Sequence, residues 1–400
     1  MATAILGGAA EKSFCWPAAS LPPTSCPPEM RFLMLNWRDP RNPRAGGAER
    51  VSLAFMRGLI EAGHEVAWFS HGFPGAAPVE MLEGIQVVRA GRMGTAQVAA
   101  RRWVRRQARF DLVIDQHHGL PWFAPWWART RVLAYIHEVC GPIWNHVLPP
   151  PLARAAAAQE RWMIRRYARI PFWTVSESTR RQLIELGVRS VAAFSNGCDV
   201  EPLSVLPDKP LATPLRLVTV SRLASYKRVD HVIHAAKLLV EGGLPVTLEV
   251  LGGGAEAGRL GALVRDLGLG FCVALVGAVS EAEKTSSLRH AHLLLHASVR
   301  EGWGLNVIEA QGQGTPAVVY PVPGLVESTI HGVTGRLAAQ ETPAALAGAI
   351  RGIAGDAVAY QILREKAWQN SARFRWPQVI PPLREFLVDK AKEMFDTESP

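Results

Sequence analysis

The chain has 400 residues and a formal net charge of +9, and 48% of its residues are hydrophobic. This composition is that of a globular protein and excludes wholesale disorder, and no apolar run approaches the roughly 18–20 residues of a membrane-spanning helix. The charge is uneven, because residues 30–199 hold 23 arginines, no lysine and 13 acidic residues, whereas residues 200–400 hold 20 basic and 20 acidic residues.

The first 29 residues contain five prolines and lack the charged start and apolar centre of a signal peptide. We therefore predict a flexible extension over residues 1–29, with the hypothesis that the native start is Met30. The five cysteines are scattered without a C-x-x-C pair, which favours a reducing, cytoplasmic setting.

Short apolar runs alternate with helical periods from residue 30 to about residue 200. The predicted strands are Phe32–Asn36, Val66–Phe69, Leu112–Ile114, Val132–Ile136, Phe172–Val175 and Val191–Phe194. One predicted helix carries Val51, Phe55 and Leu59 on one face, and another covers Thr179–Leu186 with Ser178 as its N-cap. This alternation indicates a parallel sheet with helices on both faces.

The pattern restarts after a polar, proline-rich stretch, Asn196–Pro214, which we interpret as the linker between two domains. Further strands are predicted at Leu215–Val220, Val246–Leu251, Val273–Val276, Leu293–His296 and Ala317–Tyr320. The sequence thus predicts two doubly wound α/β domains in tandem, with a cleft between them.

The segment from Glu301 to Glu309, Glu-Gly-Trp-Gly-Leu-Asn-Val-Ile-Glu, carries the strongest functional signal. It follows a predicted strand and opens a helix near Leu305, and backbone N–H groups at a helix start bind anions. Gly302 and Gly304 allow the main chain to approach a phosphate closely, and the two carboxylates can accept hydrogen bonds from sugar hydroxyls. The alternative is a simple strand-to-helix turn with an acid at each end.

Three further sites lie where strands of such a sheet end, which is where ligands bind in open α/β sheets. Arg222 and Lys227 suit a diphosphate, although such cations are often only solvated. Gly46-Gly47 opens the first helix, and His137 ends a strand, where a purely structural histidine is the alternative. No His, Cys and Asp cluster has metal-ligand spacing, so we expect no metal site.

Together these segments resemble the retaining glycosyltransferases of family 4, which have the GT-B fold of two Rossmann-like domains. The resemblance runs from about Met30 to Trp376 and rests on the E-x7-E motif, on Ser221-Arg-Leu-x3-Lys227 and on Ala45-Gly-Gly-Ala-Glu-Arg50. It implies an acceptor-side domain over residues 30–200, completed by a return helix within residues 377–400, and a donor-binding domain over residues 201–376.

The resemblance also implies residue roles. Arg222 and Lys227 would bind the donor diphosphate, Glu309 the ribose and Glu301 the donor sugar, with His137 near the transferred sugar. The catalytic set that it implies is His137, Arg222, Lys227 and Glu301, and the donor-binding set is Gly46, Gly47, Gly302, Trp303, Gly304, Leu305, Asn306 and Glu309. No cofactor is implied.

The implied function is retaining transfer of a hexose from a UDP- or GDP-sugar to a glycan or lipid-linked acceptor, as in cell-envelope polysaccharide or glycolipid synthesis. A sugar-nucleotide epimerase of the same fold and a catalytically silent nucleotide-sugar-binding protein are the alternatives. No nucleic-acid module is recognisable, so we expect no nucleic-acid partner.

Arginine and aromatic residues are mixed in the stretches 101–109 and 161–169 and in the loop Pro121–Trp127. These stretches predict that the first domain docks on an anionic membrane surface, at the inner face of the membrane. The alternative is a solvated basic face whose aromatic residues belong to the core.

Overall fold

The structure is a computed structural model that describes residues 30–92 and 94–393, so the predicted extension over residues 1–29 lies outside it. The first domain is built on a sheet with the strands β1 (Arg31–Leu35), β2 (Glu65–Ser70), β3 (Val79–Leu82), β4 (Ile85–Arg89), β5 (Leu112–His117), β6 (Arg131–Ile136), β7 (Phe172–Thr174) and β8 (Val191–Ala193). Its helices are α1 (Gly47–Ile60), α2 (Ala96–Val104), α3 (Trp144–Val147), α4 (Pro150–Arg166) and α5 (Glu177–Glu185).

Within the described residues the strand order of this sheet is β3-β4-β2-β1-β5-β6-β7-β8. All neighbouring strands run parallel except β3 and β4, which form an antiparallel hairpin at one edge. The central strands carry apolar residues on both faces, and Phe32, Leu33 and Met34 are fully buried. Such continuous apolar runs are typical of a parallel sheet covered on both sides.

The second domain repeats this architecture with the strands β9 (Leu215–Val220), β10 (Val246–Leu251), β11 (Val273–Gly277), β12 (Leu293–His296), β13 (Ala317–Val319) and β14 (Gly335–Leu337). Its helices are α6 (Val229–Glu241), α7 (Ala257–Asp266), α8 (Glu281–His290), α9 (Leu305–Gly312), α10 (Leu325–Ser328), α11 (Pro343–Ala354) and α12 (Ala357–Ser371). In the described part of the chain these strands form a wholly parallel sheet, ordered β11-β10-β9-β12-β13-β14.

The last described helix, α13 (Trp376–Lys392), leaves the second domain and packs on α1 of the first. Its Leu383 and Leu387 are fully buried in the core that contains Phe55. The two segments in which the chain passes from one domain to the other lie side by side, because Cys198 N donates to Phe374 O at 2.9 Å. The carboxyl-terminal helix is therefore part of the first domain's core.

The structure corrects the predicted start and N-cap of helix α5. Helix α5 begins at Glu177, and its N-cap is Ser176, whose Oγ accepts a hydrogen bond from Thr179 N. The prediction of Ser178 as N-cap was wrong because Ser178 already lies inside the first helical turn. The β3–β4 hairpin and β14 were not predicted from the sequence.

The aromatic residues of the arginine-rich stretches divide between core and surface. Trp103 packs on Phe69 and Phe110, and Tyr167 is fully buried with its hydroxyl bonded to Asp115. Trp162, by contrast, is 57% exposed beside exposed arginines of α4. In the loop Pro121–Trp127, Trp122 is fully buried and Trp126 is 44% exposed, so part of the expected aromatic surface is exposed. Among the described helices, none is both long and apolar enough to span a membrane.

Candidate functional site

The first turn of α9 lies in the cleft because two glycines bring its leading loop close to other backbone. A Cβ on Gly302 would lie 2.8 Å from His137 O, so only glycine fits this contact between the domains. Gly304, the N-cap of α9, has φ +92°, in the region that favours glycine. The loop therefore delivers the free N–H groups of α9 to the cleft, as the sequence predicted.

Helix α1 reaches the same place from the first domain. Gly46 is its N-cap, and Gly46 N donates to Glu49 Oε2 at 2.8 Å, which fixes the turn. A Cβ on Gly47 would lie 3.2 Å from Leu305 Cδ1, so the first turns of α1 and α9 meet. Two positive helix ends thus converge on one point of the cleft, which favours an anion there.

Glu301 and Lys227 form an ion pair beside this point, with Lys227 Nζ 2.5 Å from Glu301 Oε1. Ser298 Oγ donates to the same carboxylate at 2.6 Å, and His296 Nε2 lies 2.8 Å from it. Burial opposes ionisation of Glu301, but Lys227 and His296 outweigh it and hold the pKa of Glu301 well below its usual range. Asn306 supports the arrangement, because its amide donates to His296 Nδ1 at 2.8 Å.

Glu309 lies in the second turn of α9 and is 7% exposed. Its Oε1 lies 2.8 Å from Nζ of Lys284, a residue that the sequence analysis did not select. Burial raises the pKa of Glu309, and the Lys284 ammonium counters this rise only in part. The carboxylate lies about one turn inside α9, as the sequence predicted, and already has one charged partner.

His137 is held in the wall of the cleft by a network of amide groups. Its Nε2 accepts a hydrogen bond from Gln116 Nε2 at 3.1 Å, and Gln116 Oε1 accepts one from Asn36 Nδ2 at 2.7 Å. Burial and the adjacent His118 lower the pKa of His137 to about 3, so its ring is neutral at physiological pH. The sequence signal for these partners was Gln116-His-His118, at the end of β5.

Glu138, next to His137, is a second residue that sequence reasoning missed. Its Oε2 is buried and has no hydrogen-bond partner among the described residues. Burial and the nearby Glu301 raise the pKa of Glu138 to about 7, although Lys227 and Arg300 oppose the rise. This side chain therefore changes charge in the neutral range.

Trp303 and Arg222, two of the predicted site residues, differ in burial. The Trp303 side chain is 6% exposed and packs on Phe374, so it belongs to the core, and only its backbone faces the cleft loop. The Arg222 side chain is exposed on the segment after β9. The structure thus brings Gly47 and Leu305 together and pairs Lys227 with Glu301, whereas the Arg222 side chain is exposed.

The domains are also tied together away from this cluster. Glu327 of α10 accepts hydrogen bonds from Glu177 N and Ser178 N, at 2.6 and 2.8 Å, at the start of α5. A carboxylate at a helix N-terminus satisfies free N–H groups and is stabilised by the helix dipole. This contact joins one domain to the other.

Two family models match the chain. The model described as Glycosyltransferase Family 4 covers residues 45–202, and the model described as Glycosyl transferases group 1 covers residues 208–373. The chain belongs to glycosyltransferase family 4. The two models meet at the linker between the sheets.

Relatives of this glycosyltransferase family 4 chain cover most of its length. It is 27% identical over 389 residues to a protein named glycogen synthase from Mycobacterium tuberculosis, covering 88% of this chain and 92% of that one. Sucrose-phosphate synthase from Thermosynechococcus elongatus has a TM-score of 0.74 at 19% identity, covering 90% and 99%. Anabaena HepE in complex with UDP-glucose has a TM-score of 0.70 at 19% identity, covering 90% and 100%. The predicted GT-B fold is confirmed.

Proposed function

We propose that the protein is a retaining hexosyltransferase that moves a sugar from a UDP- or GDP-sugar to a glycan or lipid-linked acceptor. The observation that carries this proposal is the meeting of the first turns of α1 and α9 beside the Lys227–Glu301 pair. Two helix N-termini and a buried ammonium around one point favour a diphosphate over a neutral ligand. The resemblance to family 4 supports retention.

In this proposal the second domain holds the donor. Lys227 and Arg222 bind the diphosphate with the backbone of residues 302–306, Glu309 binds the ribose and Glu301 the donor sugar. Glu301 is suited to this role because it is ionised and is fixed by Ser298. The UDP-glucose bound to HepE and the glycogen synthase name of a relative support UDP-glucose as the first donor to test.

The proposed reaction breaks the bond between the anomeric carbon and the diphosphate oxygen, and the acceptor oxygen bonds to the same face of the sugar. The acceptor's proton passes to the leaving diphosphate. Lys227, Arg222 and the helix N-termini stabilise the negative charge that develops there. His137 is neutral, so it can lie beside the developing positive charge of the sugar without repulsion. Because fixed positive groups act on the diphosphate, we propose that no metal is required.

We further propose that the first domain docks on an anionic membrane surface at the cytoplasmic side, where a lipid-linked acceptor of envelope or glycolipid synthesis is reached. The exposed arginines that support this are Arg101, Arg102, Arg105, Arg106, Arg161, Arg165 and Arg166. Electrostatic attraction predicts binding to liposomes with anionic lipid that is lost at high salt. Absence of binding even at low salt contradicts this part of the proposal.

A screen of UDP- and GDP-sugars by thermal shift tests the proposal, followed by transfer assays with glucan and lipid-linked acceptors. We expect a stabilising donor, and an NMR spectrum in which the product keeps the donor's anomeric configuration. An inverted product contradicts retention. Release of an epimerised sugar from donor alone supports the epimerase alternative, and binding without turnover on any acceptor supports the silent one.

A further inference from the structure

Lys284 of α8 is a buried lysine held between two carboxylates. It is 7% exposed, and its Nζ lies 2.8 Å from Glu309 Oε1 and 2.6 Å from Glu281 Oε2. Burial disfavours the ammonium, but Glu309 and Glu281 outweigh this effect and raise the pKa of Lys284. Because a buried charge is costly without partners, Lys284 is fixed in place by this pair of contacts.

The series of charges continues into the first domain. Arg50 Nη1 of α1 lies 2.7 Å from Glu281 Oε1. Arg50, Glu281, Lys284 and Glu309 therefore alternate in sign from α1 across the cleft to α9. Arg50 and Glu281 are about half exposed, whereas Lys284 and Glu309 are buried, so the inner pair is the stronger one.

Lys284 is the main group that keeps a charge on Glu309. The other charged or titratable groups that act on Glu309 or lie beside it are Glu281, Arg50 and the Cys198 thiol. Without Lys284, Arg50, which is paired with Glu281, is the other positive group that acts on Glu309 among the described residues, and Glu309 takes up a proton more readily. A protonated carboxyl group turns one of its acceptor oxygens into a donor, which suits two sugar hydroxyl donors less well.

We propose that Lys284 is a positioning residue that holds Glu309 as a charged, fixed acceptor for the ribose hydroxyls of the donor. The inference rests on the proposed function, because it takes Glu309 as the ribose-binding residue. It assigns part of the preference for a ribonucleotide over a deoxyribonucleotide to a lysine that acts through Glu309.

The inference is tested by calorimetric titration with UDP and with 2′-deoxy-UDP, which gives the ratio of the two affinities. If the protein binds guanine nucleotides, GDP and 2′-deoxy-GDP are used instead. We expect Lys284→Met to reduce the preference for the ribonucleotide roughly tenfold or more, since hydrogen bonds to charged groups are the stronger ones. The reduction should be larger at pH 6 than at pH 8.5, because a higher pH restores the charge of Glu309. Lys284→Arg should keep the preference.

A lysine that only stabilises the domain predicts a different result, with both affinities lowered equally and the preference unchanged, which overturns the inference. If Lys284→Met folds poorly, Lys284→Gln and the double variant Lys284→Met/Glu309→Gln replace it. The double variant should show the same preference for the ribonucleotide as Glu309→Gln alone. A preference lower than that of Glu309→Gln contradicts the inference that Lys284 acts through Glu309.

Two controls separate this inference from the proposed function. Lys237→Met removes a lysine from an exposed pair on α6 and should leave the preference unchanged. If Glu309→Gln loses the preference but Lys284→Met keeps it, only the inference is wrong. If Glu309→Gln keeps the preference, the ribose-binding role in the proposed function is wrong.

Discussion

Lys227 Nζ lies 2.5 Å from Glu301 Oε1, and the pair joins the segment after β9 to the segment after β12. Both side chains are only 14% exposed. Glu301 has further partners in Ser298 and His296, so its charge stays satisfied when the ammonium moves to another anion. Lys227 can therefore leave the Glu301 carboxylate and pair with a bound diphosphate, and no buried charge is left unpaired.

We expect Lys227→Ala to lower kcat/KM for sugar transfer by about 10²–10³-fold, because it removes a fixed positive group from the developing charge of the leaving diphosphate. The fold should survive, since Ser298 and His296 still bind Glu301. Steady-state kinetics with thermal melting measures both effects. Lys237→Ala, on the surface of α6, is the matched control, and near wild-type turnover of Lys227→Ala contradicts the assignment.

We expect Glu138 to make the free energy of unfolding depend on pH in the neutral range. The folded-state pKa of about 7 lies above the usual value of 4.5, so the folded state binds the proton more tightly. Stability from this group is therefore present below about pH 4.5 and is lost as pH rises through 7. Glu138→Gln should exceed the wild type in stability at pH 8.5 and approach it near pH 5.

Urea unfolding at several pH values measures this difference. Glu185→Gln, at the exposed end of α5, is the control and should change stability by less than about 0.5 kcal/mol. If the free energies of unfolding of Glu138→Gln and the wild type differ by the same amount at every pH in this range, the prediction is contradicted.

We expect Arg89→Met to destabilise the protein by about 3–5 kcal/mol, because it leaves Asp39 as an unpaired buried charge. Arg89 binds both oxygens of Asp39 at 2.8 Å, and their side chains are 2% and 0% exposed. Denaturant unfolding measures the loss. Arg57→Met breaks an exposed pair with Glu83 and should cost less than about 1 kcal/mol. Equal losses in the two variants contradict the role of burial.

We expect Leu383→Ala to destabilise the first domain by about 2–5 kcal/mol through the cavity that it leaves. Leu383 is fully buried beside Trp173 and Trp376, so tryptophan fluorescence during denaturant unfolding reports on this core. Val358→Ala, at a position that is 72% exposed, is the control. A change no larger than that of the control shows that α13 does not stabilise this domain.

The sequence predicted most of the fold because its central strands are apolar on both faces. It missed the β3–β4 hairpin and β14. Of these, β3 and β14 are short, partly exposed edge strands that give no apolar run. The capping of α5 could not be resolved because Ser176 and Ser178 are chemically alike, and only backbone conformation distinguishes them.

The candidate site was predictable where glycine and carboxylate spacing marks it, as at Gly302, Gly304 and Glu309. Lys284, Gln116 and Glu138 were not predicted as site residues, because a polar residue within a helix or near the end of a strand looks solvated in sequence. Only the tertiary structure buries Lys284 against Glu309. The Trp303 side chain of the same motif packs on Phe374 in the core, which the spacing of the motif does not indicate.

The position of α13 sets the order in which the protein can be completed during synthesis. The strands of the first domain leave the ribosome early, yet their core lacks Leu383 and Leu387 until the second domain has also been translated. Until then Phe55 and its neighbours on α1 expose an apolar face to water. The domain that is made first is thus the last to be finished, and the nascent chain needs protection from aggregation at that face for longest.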